Sequence, residues 1–152
     1  MASPFPFTAG QVLTAAQLNS IGEATAFTPS WNNFTPGNAV ESWYYVQINE
    51  LVVVAGATTL GSTSSVTGSI QLQPPVGSIL VNGNCINGNL YLRDASPVTN
   101  NLGLSLAGGG VFSIVAQDAS STYLKFVSTS ATVPHTWAAS DVIGGTIIYE
   151  LA

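Results

Sequence analysis

Charge is what this sequence has least of. Charged residues make up 6% of the 152, with two basic ones, Arg93 and Lys125, against seven acidic, for a net charge of −5. A typical soluble domain carries roughly 25% charged residues. Nucleic-acid binding displaces counterions from phosphates with a patch of Lys and Arg. Two cations cannot build such a patch, and attraction to anionic lipid is excluded on the same count. Cysteine occurs once, at Cys85, so no disulfide closes within the chain. Histidine also occurs once, at His135. One thiol, one imidazole and scattered carboxylates are poor stock for a metal centre, and the reading is of no metal and no cofactor. No apolar run approaches the ~18 residues of a membrane helix. The opening Met1-Ala2-Ser3-Pro4-Phe5-Pro6-Phe7 lacks the basic and long apolar regions of a secretory signal. The expectation is a soluble chain made in a cytoplasm, with neither nucleic acid nor membrane as partner.

What is present is apolar: hydrophobic residues make up 46%. Two textures follow one another. Residues 1–26 form an arm that begins with Pro and Phe and then carries a helix signal. Thr14 and Gln17 fit a capping box, in which each side chain satisfies the other's backbone amide. Leu13 and Leu18 fit the accompanying hydrophobic staple, and Asn19, Ser20 and Gly22 supply a stop. The spacing predicts a short helix over 14–20, too short to stand alone in water.

Residues 27–152 have the texture of β structure: short runs of Val, Ile, Thr, Tyr and Phe broken by Gly, Pro, Asn and Ser. The predicted strands are 40–48, 51–60, 66–72, 79–81, 89–93, 102–106, 111–117, 122–127 and 146–151. Predicted breaks include Asn49-Glu50, Ser96-Pro97, Gly108-Gly109-Gly110, Gly144-Gly145 and two Asn-Gly-Asn turns at 82–84 and 87–89. This spacing implies an all-β fold, an antiparallel β-sandwich of jelly-roll type, with the short N-terminal arm and helix ahead of it. In 40–49, alternation assigns Val40, Ser42, Tyr44, Val46 and Ile48 to the core. It assigns Glu41, Trp43, Tyr45 and Gln47 to the outside. The run 51–60 is apolar on both faces and should be covered on both.

No constellation of catalytic residues stands out. His135 has no neighbouring nucleophile and reads as a loop or strand-edge imidazole. Cys85 reads as a small buried hydrophobe or a spare thiol. The carboxylates Glu23, Glu41, Glu50, Asp94, Asp118, Asp141 and Glu150 show no spacing that suggests a glycosidase pair. The triple glycine at 108–110 lacks the Lys and Ser/Thr of a phosphate loop and reads as a hairpin. Asn33-Phe34-Thr35 matches a glycosylation sequon by chance in so polar a chain. Trp31, Trp43, Tyr44 and Tyr45 invite stacking with sugars or bases; core packing for Tyr44 and subunit contact for Trp43 and Tyr45 are the readings preferred. The expected contact residues are Phe5, Phe7, Leu13, Leu18, Ile21, Trp43 and Tyr45.

Two stretches resemble a known group. Phe7-Thr8-Ala9-Gly10-Gln11-Val12-Leu13-Thr14-Ala15-Ala16-Gln17-Leu18-Asn19 resembles the F-x-x-G-x-V-L-T-A-A-x-L-N opening of small tailed-bacteriophage virion proteins. The course from Phe27-Thr28-Pro29-Ser30-Trp31, through Tyr45-Val46-Gln47-Ile48-Asn49-Glu50, to Ile70-Gln71-Leu72-Gln73-Pro74-Pro75 is similar to that of β-rich phage domains, usually trimeric. The resemblance implies a virion structural protein, and the absence of any nucleophile–base, metal or carboxylate-pair signature adds the expectation of no enzymatic activity. The resemblance also implies a capsid decoration (cement) homotrimer on the outer shell, bound to the major capsid protein, or else a small tail-fibre or neck appendage.

Overall fold

A computed structural model of the chain describes residues 10, 12, 14–15, 21–80, 85–120 and 122–152. Among them the regular elements of three or more residues are all strands: β1 (Thr25–Phe27), β2 (Trp31–Thr35), β3 (Val40–Ile48), β4 (Leu51–Thr59), β5 (Ser65–Leu72), β6 (Cys85–Ala95), β7 (Val98–Gly108), β8 (Val111–Asp118), β9 (Lys125–Ser128) and β10 (Val142–Glu150). The fold is all-β and antiparallel. The helix expected over 14–20 lies outside the described residues except at Thr14 and Ala15, of which Ala15 is helical.

Turn chemistry sets the hairpins. β3 and β4 are joined by Asn49-Glu50, with Ile48 paired to Leu51 and Asn49 at φ 55°, a conformation Asn tolerates. β7 and β8 are joined by Gly109-Gly110, both at positive φ, which is the demand of the tight hairpin turn. The strands form one sheet in the order β1-β3-β4-β10-β6-β7-β8-β5-β2, with β9 alongside β8. The sheet curls until its ends meet through side chains. Trp31 of β2 lies 6.0 Å from Trp43 of β3, ring to ring, and its Nε1 donates to Glu41 at 2.7 Å. Asn38 and Thr63 tie the β2–β3 and β4–β5 turns together with reciprocal 2.9 Å bonds.

The inside of the curl is the core. One cluster gathers Phe34, Ile70, Leu90, Leu92, Ile114 and Ile143; a second gathers Trp43, Val52, Val54, Leu72, Phe112 and Ile147. Each such burial contributes roughly 1.5–3 kcal/mol in area terms. β5 and β8 pair through Gln71 and Leu72, opposite Ser113 and Phe112. Beyond that joint, buried Thr129 bridges the gap: its Oγ1 accepts from the Ile70 amide at 2.9 Å and donates to the Ile114 carbonyl at 3.0 Å. Tyr149 donates its hydroxyl to the Val76 carbonyl at 2.8 Å. Burial pushes that hydroxyl up to about 12, so it stays a neutral donor through the ordinary pH range.

The sequence reading of β3 is reversed. Trp43 is 2% exposed and Tyr45 is half-buried, whereas Val40, Tyr44 and Ile48 point outward. Alternation alone allows either face, and the partner strand decides. Opposite Trp43 stands Gly56, where an added Cβ would lie 2.6 Å from the indole. The ring takes the space a side chain would fill. Glu41 is admitted to the same inner face because Trp31 and Thr58 both donate to it.

Four smaller expectations also change. Asn87-Gly88-Asn89 is not a turn; it runs within β6, with a bulge between Ile86 and Gly88. Gly144-Gly145 does not break β10: Gly144 pairs with Tyr91, and a Cβ there would meet the Tyr91 ring at 2.8 Å. Of 79–81, Ile79 makes an isolated bridge to Leu151, and Val81 lies outside the described residues. The outer face of β4 is not covered by the described chain, where Leu51 and Ala55 are exposed.

Candidate interaction surface

Three of the chemistry-bearing side chains, Glu41, Asp141 and His135, are turned inward and used by the fold. Glu41 accepts from Trp31 Nε1 at 2.7 Å and from Thr58 Oγ1 at 3.3 Å, and Trp43 Nε1 donates to Thr58 Oγ1 at 2.9 Å. This polar chain sits where the two ends of the sheet meet. Asp141, 1% exposed, closes a second cluster. Its Oδ1 accepts from the Ala95 amide at 2.9 Å and its Oδ2 from the Ala138 amide at 2.7 Å. His135 Nε2 lies 3.4 Å from Oδ2, its ring 4.5 Å from that of Trp137. Both Asp141 oxygens are thus engaged in pinning the 129–141 segment to the β6–β7 hairpin.

Two further acids do local work. Asp94 accepts from the Ser96 amide at 2.8 Å inside its hairpin. Asp118 is held below the usual carboxylate range by hydrogen bonds from Ser120, and it pairs with Lys125 at 3.2 Å on the surface. Among the described residues no group of three or more His, Cys, Asp or Glu side chains gathers as metal ligands would. Cys85 is exposed, so its reading as a buried hydrophobe does not hold.

Of the expected contact residues, Phe5, Phe7, Leu13 and Leu18 lie outside the described residues. Ile21 is half-buried, and the chain beside it reaches the outer face of β3: a Cβ on Gly22 would lie 3.8 Å from Val46 and from Ile48. Trp43 is core, and Tyr45 packs edge-on to Phe27 at 5.9 Å.

The surface that sequence reasoning missed is the outside of the sheet at β3, β4 and β10. Register fixes its cross-strand rows: Val40, Thr59, Val142 and Arg93; Ser42, Ala57, Gly144 and Tyr91; Tyr44, Ala55, Thr146 and Asn89; Val46, Val53 and Ile148; Ile48, Leu51 and Glu150. Tyr44 and Ile148 are each 49% exposed, and Ile48 and Leu51 nearly as much. A shallow recess bounded by Ile86, Asn89, Thr146 and Ile148 opens on it. The signal was present in the two-sided apolarity of 51–60, which asks for cover on both faces. Such a surface sets large apolar side chains in water. Its physical capacity is adhesion to another apolar surface. No protein-family model, no curated protein and no solved structure matches this chain.

Proposed function

We propose that this chain is a structural protein of a tailed-bacteriophage particle: a capsid decoration protein that binds the outer shell as a homotrimer and catalyses no reaction. The opening motif over 7–19 supports the particle assignment. The observation that supports a structural role is the outward display of Tyr44, Ile48, Leu51 and Ile148 on the sheet, while Glu41 and Asp141 are engaged in hydrogen bonds within the fold. Net charge of −5 suits the outside of a shell and not its DNA-lined interior. The arm, with Phe5, Phe7, Leu13, Leu18 and Ile21, grips the shell protein or a neighbouring copy. Its prolines limit the entropy lost on ordering.

A small tail or neck appendage is the second reading. Tyr123 and Leu124, solvent-exposed on the β8–β9 loop, would suit an adhesive tip.

The test is to add purified protein to particles that lack it and to heat them. Full-length chain should raise the temperature at which the shells release DNA. Chain lacking residues 1–20, which retains β1, should show the same β-rich circular dichroism and give no protection. Equal protection by the truncated chain would move docking onto the β body. No protection by the full chain would contradict a decoration role.

A further inference from the structure

We propose that the recess at the β6 bulge, with the Tyr91 ring beside it, is a binding site for a neutral glycan that carries N-acetyl groups. The inference goes beyond the structural role proposed above and does not depend on it.

The recess opens on the outer face of β6 and β10. Ile86, Asn87, Gly88 and Asn89 line it from β6, and Thr146 and Ile148 from β10. Its volume is about 450 Å³, within the roughly 300–1,000 Å³ of small-ligand sites. It sits at the bulge between Ile86 and Gly88, an irregularity of the kind that re-aims side chains beside binding sites.

The lining selects an amide. Asn87 Nδ2 and Oδ1 are both buried and have no hydrogen-bond partner in the chain, a costly state for a carboxamide. Ile86 and Ile148, 62% and 49% exposed, form aliphatic walls of the same recess. A donor and an acceptor side by side between aliphatic walls match the C=O, N–H and methyl of an acetamido group. Asn89 and Thr146 are exposed at the rim, where their carboxamide and hydroxyl can meet ring hydroxyls.

The sugar ring also has a platform. Tyr91 stands two residues from Asn89 on the same face of β6. A Cβ placed on Gly144 would lie 2.8 Å from the Tyr91 Cε1, Cζ and hydroxyl oxygen alike, so the ring lies face-down over that glycine. It remains 41% exposed, which leaves its other face open to the C–H face of a pyranose. Thr146 shares a row with Tyr44, which is 49% exposed. That second ring stands two strands away, about 10 Å at ~4.8 Å per strand.

Other polymers fit this place less well. A peptide adds to an open sheet edge, but β6 is paired with both β10 and β7, and β10 with both β4 and β6. Nucleic acids and acidic glycans would meet a chain of net charge −5 and a recess lined, among the described residues, by no charged side chain.

The test is calorimetric titration of the full chain with chitohexaose, a neutral oligomer of N-acetylglucosamine, and with cellohexaose, its counterpart without acetamido groups. Chitohexaose should bind, and cellohexaose about 10-fold more weakly. Tyr91→Ala should weaken both by about 10-fold, Tyr91→Phe should retain binding, and Tyr44→Ala should cost several-fold. Asn87→Leu should weaken chitohexaose and leave cellohexaose unchanged. Tyr123→Ala, on the β8–β9 loop, should change neither, and all variants should keep the β-rich circular dichroism. No binding of chitohexaose at millimolar concentration would overturn the proposal. So would binding that survives Tyr91→Ala and Asn87→Leu unchanged, or equal affinity for cellohexaose. Equal binding of a capped oligoalanine would make the recess a peptide seat and overturn the glycan. Shell protection by Tyr91→Ala should equal that of the unaltered chain, so the two readings fail separately.

Discussion

Trp43→Ser should destabilise the β body rather than release it intact from an assembly. The indole is 2% exposed, lies over Gly56 and donates to Thr58, which in turn donates to Glu41. Truncating a buried Trp costs about 3–5 kcal/mol, a large share of the ~5–15 kcal/mol that holds a domain of this size together. The loss also strips a partner from a polar chain that is tolerable only while every member is paired. Thermal melting followed by circular dichroism should show a drop of about 10 °C or more. Tyr44→Ser, one position along the same strand but on the outer face, should change melting little. If Trp43→Ser melts like the unaltered chain and loses assembly alone, Trp43 is a surface contact and the inner face of β3 is wrongly assigned.

Asp141→Ala should cost nearly as much, through hydrogen bonding instead of packing. The amides of Ala95 and Ala138 both end on this one carboxylate, and His135 lies beside it. Removing it strands two backbone donors, at about 1–3 kcal/mol each. The segment that closes over the core through Trp137 and Val133 then loses its anchor. Asp141→Asn keeps one acceptor oxygen and should lie between the two. Urea unfolding midpoints measure the series, and an unchanged midpoint for Asp141→Ala would show that the cluster does not hold the segment.

The contrast between these two residues shows what sequence made legible. Strand positions from 40 onward were readable because Val, Ile and Tyr alternate between turn residues whose φ requirements are local. Asn49 and Gly109-Gly110 sit at hairpins for that reason. Facing was not readable in β3, because Val40-Ser42-Tyr44-Val46-Ile48 and Trp43-Tyr45 are both plausible inner sets. The vacancy at Gly56 that decides between them belongs to another strand. β2 escaped notice because it is short, carries two Asn, and shifts register between Asn32 and Phe34. The glycine pairs at 144–145 and the Asn-Gly-Asn at 87–89 read as turns, yet they mark places where one strand's backbone or ring lies close on its neighbour. Asp141 gave no signal at all. Its partners come from 95, 135 and 138, and the fold alone brings 95 to it. The outer face was half legible: two-sided apolarity in β4 asked for cover, but the register that joins Tyr44, Leu51 and Ile148 into one surface is a property of the sheet.

The central claim is that this chain is a repeating structural part of a virus particle. Counting its copies in purified particles, by quantitative mass spectrometry against the major capsid protein, tests that claim most directly. The account predicts on the order of hundreds of copies per particle, the number at which weak apolar contacts repeated over a lattice become collectively strong. A handful of copies would favour the tail or neck appendage, and a chain absent from the purified particle would contradict the account.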